Sequence, residues 1–259
     1  MSHLVIDGLH KAYAGVPVLD RIDLELEAGE FCTIVGASGC GKSTLLKILL
    51  GQEAPTRGTL SLNGRELPSE PSPERGIVYQ RYSVFDHKTV LQNVRFALEL
   101  RDGDPLFGYC FGAKRRAAKA RAAELVEAVG LGAVADRYPV QLSGGMQQRL
   151  ALAQALAQEP PLLLLDEPFG ALDPGNRAAM HALLRELWSE RGMTVVMVTH
   201  DLPEAFGLGT RILVLDRPEP DDGRGARITY DIPLRRDDPA SDPSASTLAT
   251  ASASTSSGA

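Results

Sequence analysis

The segment Gly36-Ala37-Ser38-Gly39-Cys40-Gly41-Lys42-Ser43-Thr44 constrains the fold of this chain more than any other. It has the form G-x-x-x-x-G-K-S. The apolar run Phe31-Cys32-Thr33-Ile34-Val35 precedes it and Leu45-Leu46-Lys47-Ile48-Leu49-Leu50 follows it. Strand, glycine loop and helix is the context in which that spacing makes a phosphate site. Glycines let the main chain close around an anion, and the N–H groups opening the helix point at it with the helix dipole behind them. In this reading Lys42 reaches the β- and γ-phosphates and Ser43 holds Mg²⁺. A plain glycine turn before a buried helix is the alternative, and it leaves the Lys42 charge without a partner.

Four apolar runs of strand character each end on a polar residue. Residues 31–35 run into Gly36, 76–79 into Gln80, 162–165 into Asp166 and Glu167, and 194–199 into His200. Near-continuous apolar strands belong to a sheet covered on both faces, hence parallel strands with helical crossovers. Ligands of such sheets bind at the carboxyl ends of the strands, so these polar ends are predicted to gather around one phosphate. Residues 4–9 and 24–26 alternate apolar with polar, as half-exposed antiparallel strands do. Residues 58–64 read as a further strand ending in an Asn63-Gly64 turn. A small antiparallel layer beside a parallel core is expected. From 89 to 158 the pattern is helical, with clear helices over 113–129 and 146–158. The expected division is one α/β domain over 1–236, with the helical subdomain at 89–158. Residues 237–259 are a Ser-, Ala- and Thr-rich tail expected to be disordered.

A net charge of −6 argues against non-specific nucleic-acid binding. Cys32, Cys40 and Cys110 are too few and too scattered for a disulfide framework or a zinc site. Cys40, inside the glycine loop, is either a reactive thiol or a small loop-filling residue. No charged n-region with an apolar core opens the chain, and no apolar run approaches the ~20 residues of a membrane span. A soluble, cytoplasmic protein is expected, whose membrane role would come through a partner.

Leu142-Ser143-Gly144-Gly145-Met146-Gln147-Gln148-Arg149 precedes Leu162-Leu163-Leu164-Leu165-Asp166-Glu167-Pro168. Together with the glycine loop, this set resembles the ATP-binding cassette family, over roughly residues 4–216. Met146 stands where many members have Gln. The resemblance implies a P-loop NTPase fold of mostly parallel sheet, with an antiparallel β layer and an inserted α-helical subdomain. It implies ATP and Mg²⁺ as ligands. Ala171-Leu172-Asp173 is similar to that family's D-loop, His200 to its switch histidine, Gln80 to its Q-loop glutamine, and Tyr13 to the aromatic that stacks on adenine. Phosphoryl transfer depends mainly on positioning and electrostatics. Lys42 and Mg²⁺ would neutralise phosphate charge, with Ser43, Gln80 and Asp166 on the metal. Glu167 would orient or deprotonate the attacking water, and His200 would hydrogen-bond the γ-phosphate. Each has a plainer reading: a solvated acidic turn for Asp166-Glu167, a structural histidine, a packing tyrosine. Ser143, Gly144 and Gly145 open a helix whose free N–H groups suit an anion, or Ser143 is an ordinary cap. In the family these groups face the nucleotide of the other subunit, which implies a head-to-tail dimer with two ATP molecules between the copies.

The resemblance further implies transmembrane permease subunits as partners, a solute-binding protein in the complex, and a place on the inner face of the membrane. The chain would pair with itself or with a sister ATPase. Residues 79–82 and 166–173 look like importer ATPases of the nitrate, sulfonate and taurine group, with urea- or amide-linked relatives close by. Tyr82 and Phe85 either form a groove for a partner helix or fill the subdomain. Phe107, Tyr109 and Phe111, followed by Lys114-Arg115-Arg116, either meet the membrane partner and anionic headgroups or end a helix with a solvated basic face. The rival from another class is a soluble mechanical ATPase acting on DNA or ribosomes. Such proteins carry coiled-coil or zinc insertions that the interval between glycine loop and signature lacks.

Overall fold

The computed structural model describes residues 2–80, 83–102, 112–217 and 223–234. In chain order the elements are β1 (Ser2–Tyr13), β2 (Val16–Glu27), β3 (Phe31–Val35), α1 (Lys42–Leu50), β4 (Arg57–Leu62), β5 (Arg65–Glu66) and β6 (Arg75–Val78). Then come α2 (Val90–Asp102), α3 (Gly112–Ala128), α4 (Gly144–Ala157), β7 (Leu162–Asp166) and α5 (Pro174–Arg191). The order closes with β8 (Thr194–Val198), α6 (Leu202–Leu208), β9 (Arg211–Asp216) and β10 (Arg227–Pro233). They form two compact units. The first comprises Met1–Leu49, Glu53–Ser69 and Thr194–Ala259, the second Leu50–Gln52 and Glu70–Met193. Arg81, Tyr82, Cys110, the aromatic segment 105–111 and the tail 237–259 lie outside the described residues.

In the first unit the antiparallel layer has the order β2-β1-β4-β5. Leu4 pairs with Leu26 and Leu62, and Ile6 with Leu24 and Leu60, so alternate side chains make one buried face. Asn63 and Gly64 both have positive φ, 53° and 74°, the backbone of the hairpin turn expected from that pair. The neighbouring sheet has β3 flanked in parallel by β8 and β9. Every residue of β3 and β8 is buried, which is why both read as unbroken apolar runs. β10 pairs antiparallel with β9. Arg211 ties the two sheets together: Nε and Nη2 reach Asp231 at 2.7 Å each, and Nη1 donates to the Glu25 carbonyl at 2.7 Å.

In the second unit β6 and β7 run parallel, Val78 beside Leu165. Helix α2 packs on α3 and α4. Ala118, Ala122, Leu125 and Val126 form the buried stripe of α3 at the spacing of one helical face. Fully buried Asn93 of α2 donates Nδ2 to the carbonyls of Phe85, Lys88 and Thr89 and accepts the Phe85 N–H at 2.8 Å. It thereby fixes the turn leading into the helix. Helix α4 begins at Gly144 and not at 146, because the Ser143 side chain caps it by accepting the Met146 N–H. The compact unit is wider than the helical stretch 89–158, since it also contains β6, β7 and α5.

Candidate functional site

In the first unit the loop between β3 and α1 is shaped by close approach. A Cβ on Gly36 would lie 2.1 Å from the Leu215 carbonyl oxygen and 2.9 Å from Cys40 Sγ. Gly41 has φ +112°, and its Cβ would meet Leu19 Cδ2 at 2.9 Å, so both conformation and space demand glycine there. Cys40 is buried against this turn and fills it. The Leu45 N–H is taken by the Gly41 carbonyl at 2.9 Å. The first-turn amides of Lys42, Ser43 and Thr44 are those that a helix leaves without intrahelical acceptors. Lys42 is 6% exposed. Its Nζ donates to the carbonyls of Gly36 at 2.7 Å and Ala37 at 2.8 Å, and Cys40 Sγ lies 4.0 Å away. Among the described residues this ammonium has no carboxylate partner. A buried cation held by neutral carbonyls at a helix N-terminus has the chemistry to receive an anion.

Tyr13 ends β1 with 42% of its surface exposed. Its hydroxyl donates to Glu53 and also hydrogen-bonds Thr44, which ties it to the end of the glycine loop. Burial and then the Glu53 carboxylate hold the phenol above its ordinary range. The Tyr13 hydroxyl, followed by Lys11 and Lys47, holds Glu53 below the usual carboxylate range. Lys11 Nζ sits 4.9 Å from the Tyr13 ring centroid and 3.3 Å from Glu53. Glu53 and Lys11 carry no motif, and sequence reasoning missed them. His200, exposed, follows β8, whose Val198 pairs with Ile34 of β3, so it leaves the same sheet edge as Gly36. Beside it, the Thr199 hydroxyl donates to Glu204 at 2.7 Å and accepts the Asp201 N–H at 3.0 Å.

In the second unit Gln80 and the pair Asp166-Glu167 stand at the carboxyl ends of parallel β6 and β7. A Cβ on Gly170 would lie 3.5 Å from Gln80 Nε2, so that amide lies close to the turn after β7. Asp166 and Glu167 are half-buried. Glu167 has φ +46°, a left-handed backbone that costs a non-glycine residue about 1 kcal/mol or more and concentrates at functional sites. Ser143 and Gly144 are exposed at the start of α4, whereas Gly145 is buried. A Cβ on Gly145 would lie 3.2 Å from Asn176 Cγ, near the start of α5. Asp173 caps α5: it accepts the Asn176 N–H at 3.1 Å and Nδ2 at 2.6 Å, and these bonds hold its carboxyl below the usual range. Phe85 is edge-on to Phe96 at 5.1 Å yet 39% exposed, so it serves the subdomain and presents surface as well.

The predicted residues thus fall into two clusters. Tyr13, residues 36–44 and His200 belong to the first unit. Gln80, Ser143, Gly144, Gly145, Asp166, Glu167 and Asp173 belong to the second. Residues 19–170 match the family model described as ABC transporter. The sulfate/thiosulfate import ATP-binding protein CysA of Thermosynechococcus vestitus is 42% identical over 233 residues, 89% of this chain and 66% of its own length. The bicarbonate transport ATP-binding protein CmpC of Synechococcus elongatus is 44% identical over 220 residues, 84% of this chain and 31% of its own. The chain therefore spans less than two thirds of the length of these curated relatives. The solved dimeric ATP-binding cassette MJ0796, bound to ADP and Pi, superposes with a TM-score of 0.73 at 32% identity, covering 90% of this chain and 99% of that one. The fold is that of the cassette ATPases, an α/β P-loop NTPase with mixed sheets and helices. By its motif order, its fold and a family match over more than half its length, the chain belongs to the ABC transporter family.

Proposed function

We propose that this chain binds and hydrolyses ATP and thereby powers a membrane transporter, an importer of a small solute. The observation that carries the reading is Lys42, a buried ammonium offered only neutral acceptors at the mouth of a glycine loop. The loop 36–44 cradles the phosphates and Tyr13 stacks on the base. Mg²⁺ would supply neutralisation of phosphate charge. The Ser43 hydroxyl, Gln80 amide and Asp166 carboxylate are hard oxygen donors that suit it. Among the described residues no group of three His, Cys, Asp or Glu could hold a metal. Glu167 orients the attacking water and takes its proton, with His200 holding the terminal phosphate. The strained backbone of Glu167 supports an active role for that residue.

Ser143, Gly144 and Gly145, with Asp173 beside them, complete the site of a second copy, or of a sister ATPase, in a head-to-tail dimer. That MJ0796 is dimeric supports a dimer here. Permease subunits and a solute-binding protein are the proposed partners, and no nucleic acid is. No described helix is long and apolar enough to cross a membrane; the proposed place is peripheral, on the inner face. The names of CysA and CmpC favour transport over a mechanical role on DNA or ribosomes. They also favour a small cargo; the type read from the sequence is nitrate, sulfonate, taurine or urea/amide. The Glu167→Gln variant tests the reading. It should bind ATP normally while turnover falls by about 10²-fold or more, the usual cost of losing a general base. Near-normal turnover refutes the assigned base.

A further inference from the structure

The end of β8 carries a buried polar network that the proposed chemistry leaves unused. Thr199 is 1% exposed and Glu204 4%, while His200, which follows Thr199, is at the surface. The Thr199 hydroxyl donates to Glu204 Oε2 at 2.7 Å and accepts the Asp201 N–H at 3.0 Å. The second bond reaches across His200 and closes a turn with that residue at its apex. A threonine hydroxyl is a weak closure for such a turn, because it can rotate away. Here the carboxylate holds it. An ionised carboxylate only accepts, so the hydroxyl proton points at Glu204 and a lone pair is left for the Asp201 amide.

Both ends of this network are anchored to the strand that feeds the glycine loop. The Thr199 N–H donates to the Ile34 carbonyl at 3.1 Å, just before Gly36. Glu204 rides on α6, which Asp201 caps by accepting the Glu204 N–H at 3.1 Å. The next residue of that helix, Ala205, is fully buried in one cluster with Val35 and Ile212, so α6 is packed on β3. Glu204 therefore holds Thr199, Thr199 and Asp201 bracket His200, and β3 sets all of them against the loop 36–44. Ending a strand needs no buried carboxylate, whose desolvation is costly. A buried polar network of this kind makes the main chain around it rigid.

We infer that Thr199 and Glu204 are positioning residues: they fix the main chain on both sides of His200 and so set the direction of its side chain toward the terminal phosphate. The inference rests on the proposed role of His200, and the test separates the two. Steady-state ATP turnover, and the Kd of a non-hydrolysable ATP analogue, are measured on the full chain. The variants are Thr199→Val, which keeps the shape and removes the hydroxyl, Thr199→Ser, which keeps the hydroxyl, His200→Ala, and Thr199→Val/His200→Ala. Misplacing a reacting group by about 1 Å can cost about 10²-fold, so Thr199→Val should lower kcat about tenfold or more while Kd stays within about twofold. Thr199→Ser should retain most of the parent turnover. In the His200→Ala background, Thr199→Val should change kcat by less than about twofold, since both changes remove one function. A threonine that only stabilises the fold gives the opposite pattern: a lower Tm, kcat retained below it, and additive losses in the double variant. Provided His200→Ala loses turnover, near-normal kcat in folded Thr199→Val, a loss confined to Kd, or a further fall of about tenfold in the double variant would each overturn the inference. Should Thr199→Val fail to fold, Glu204→Gln decides. Its amide can turn an N–H to the hydroxyl and take the lone pair that the Asp201 N–H needs, so kcat should fall about threefold or more at unchanged Kd, and an unchanged kcat overturns the inference. Full turnover in His200→Ala overturns the role of His200 itself, and the inference with it.

Discussion

Replacing Lys42 with Met separates a residue that holds its loop together from one that waits for an anion. The ammonium makes hydrogen bonds of 2.7 and 2.8 Å to the Gly36 and Ala37 carbonyls. Charge-assisted bonds contribute about 1.5–3 kcal/mol each, so roughly 3–6 kcal/mol together. Burying the ammonium costs several kcal/mol and offsets most of that. Met is similar in length and carries no charge to desolvate. Ala37 is exposed and Gly36 partly so, which lets both carbonyls turn to water. Without nucleotide, Lys42→Met should therefore change stability by no more than about 1–2 kcal/mol. With nucleotide the proteins diverge. At 100 times Kd, a ligand that binds only the folded state stabilises it by about 2.7 kcal/mol. For a chain of this size that raises Tm by roughly 5–10 °C. Differential scanning calorimetry with and without MgATP should show that rise in the parent and none in the variant. Retention of the shift, or a loss above about 4 kcal/mol without nucleotide, would refute the reasoning.

Other expectations follow from single contacts. Gly36→Ala drives a methyl into the Leu215 carbonyl, 2.1 Å away, and should cost about 1–3 kcal/mol with a lower Tm; an unchanged melting curve contradicts the close approach. Ser143→Ala loses only a long capping bond of 3.4 Å, so stability should fall by about 0.5 kcal/mol while steady-state ATP turnover falls at least about tenfold. Equal turnover would make Ser143 a mere cap. Tyr13 ionises above its usual pKa of about 10. Its neutral form therefore supports the fold below that value, and the contribution fades as pH rises through the higher folded value. Glu53→Gln should lower the phenol's ionisation midpoint in ultraviolet titration, and an unmoved midpoint removes Glu53 as a cause.

Much of the parallel core was legible because the strands concerned are buried on both faces. Phe31–Val35 and Thr194–Val198 carry no polar interruption that would mask them. Asn63-Gly64 was legible because few residue pairs tolerate two positive φ angles in a row. β1 and β2 proved longer than their alternation implied. Their register shifts between Ile6 and Leu9, and Gly8 and Arg21 take positive φ, so the two-residue period breaks while the pairing continues. The start of α4 was misplaced by two residues because glycine is a poor helix former and only the Ser143 cap reveals the true beginning. The glycine loop and the acidic pair after β7 stood out because each follows an unbroken apolar strand at a fixed spacing of residue types. Glu53 and Asn93 act through contacts distant in sequence. Asn93 left one trace: a polar residue inside the apolar stripe Val90, Val94, Ala97 and Leu98 of α2.

A crystal structure of Glu167→Gln with MgATP tests the central claim most directly. The account predicts a dimer with two triphosphates, each held by the loop 36–44 of one copy and met within hydrogen-bonding distance by the Ser143-Gly144-Gly145 turn of the other. A nucleotide-bound protein in which that turn faces solvent in every pairing of copies would contradict it.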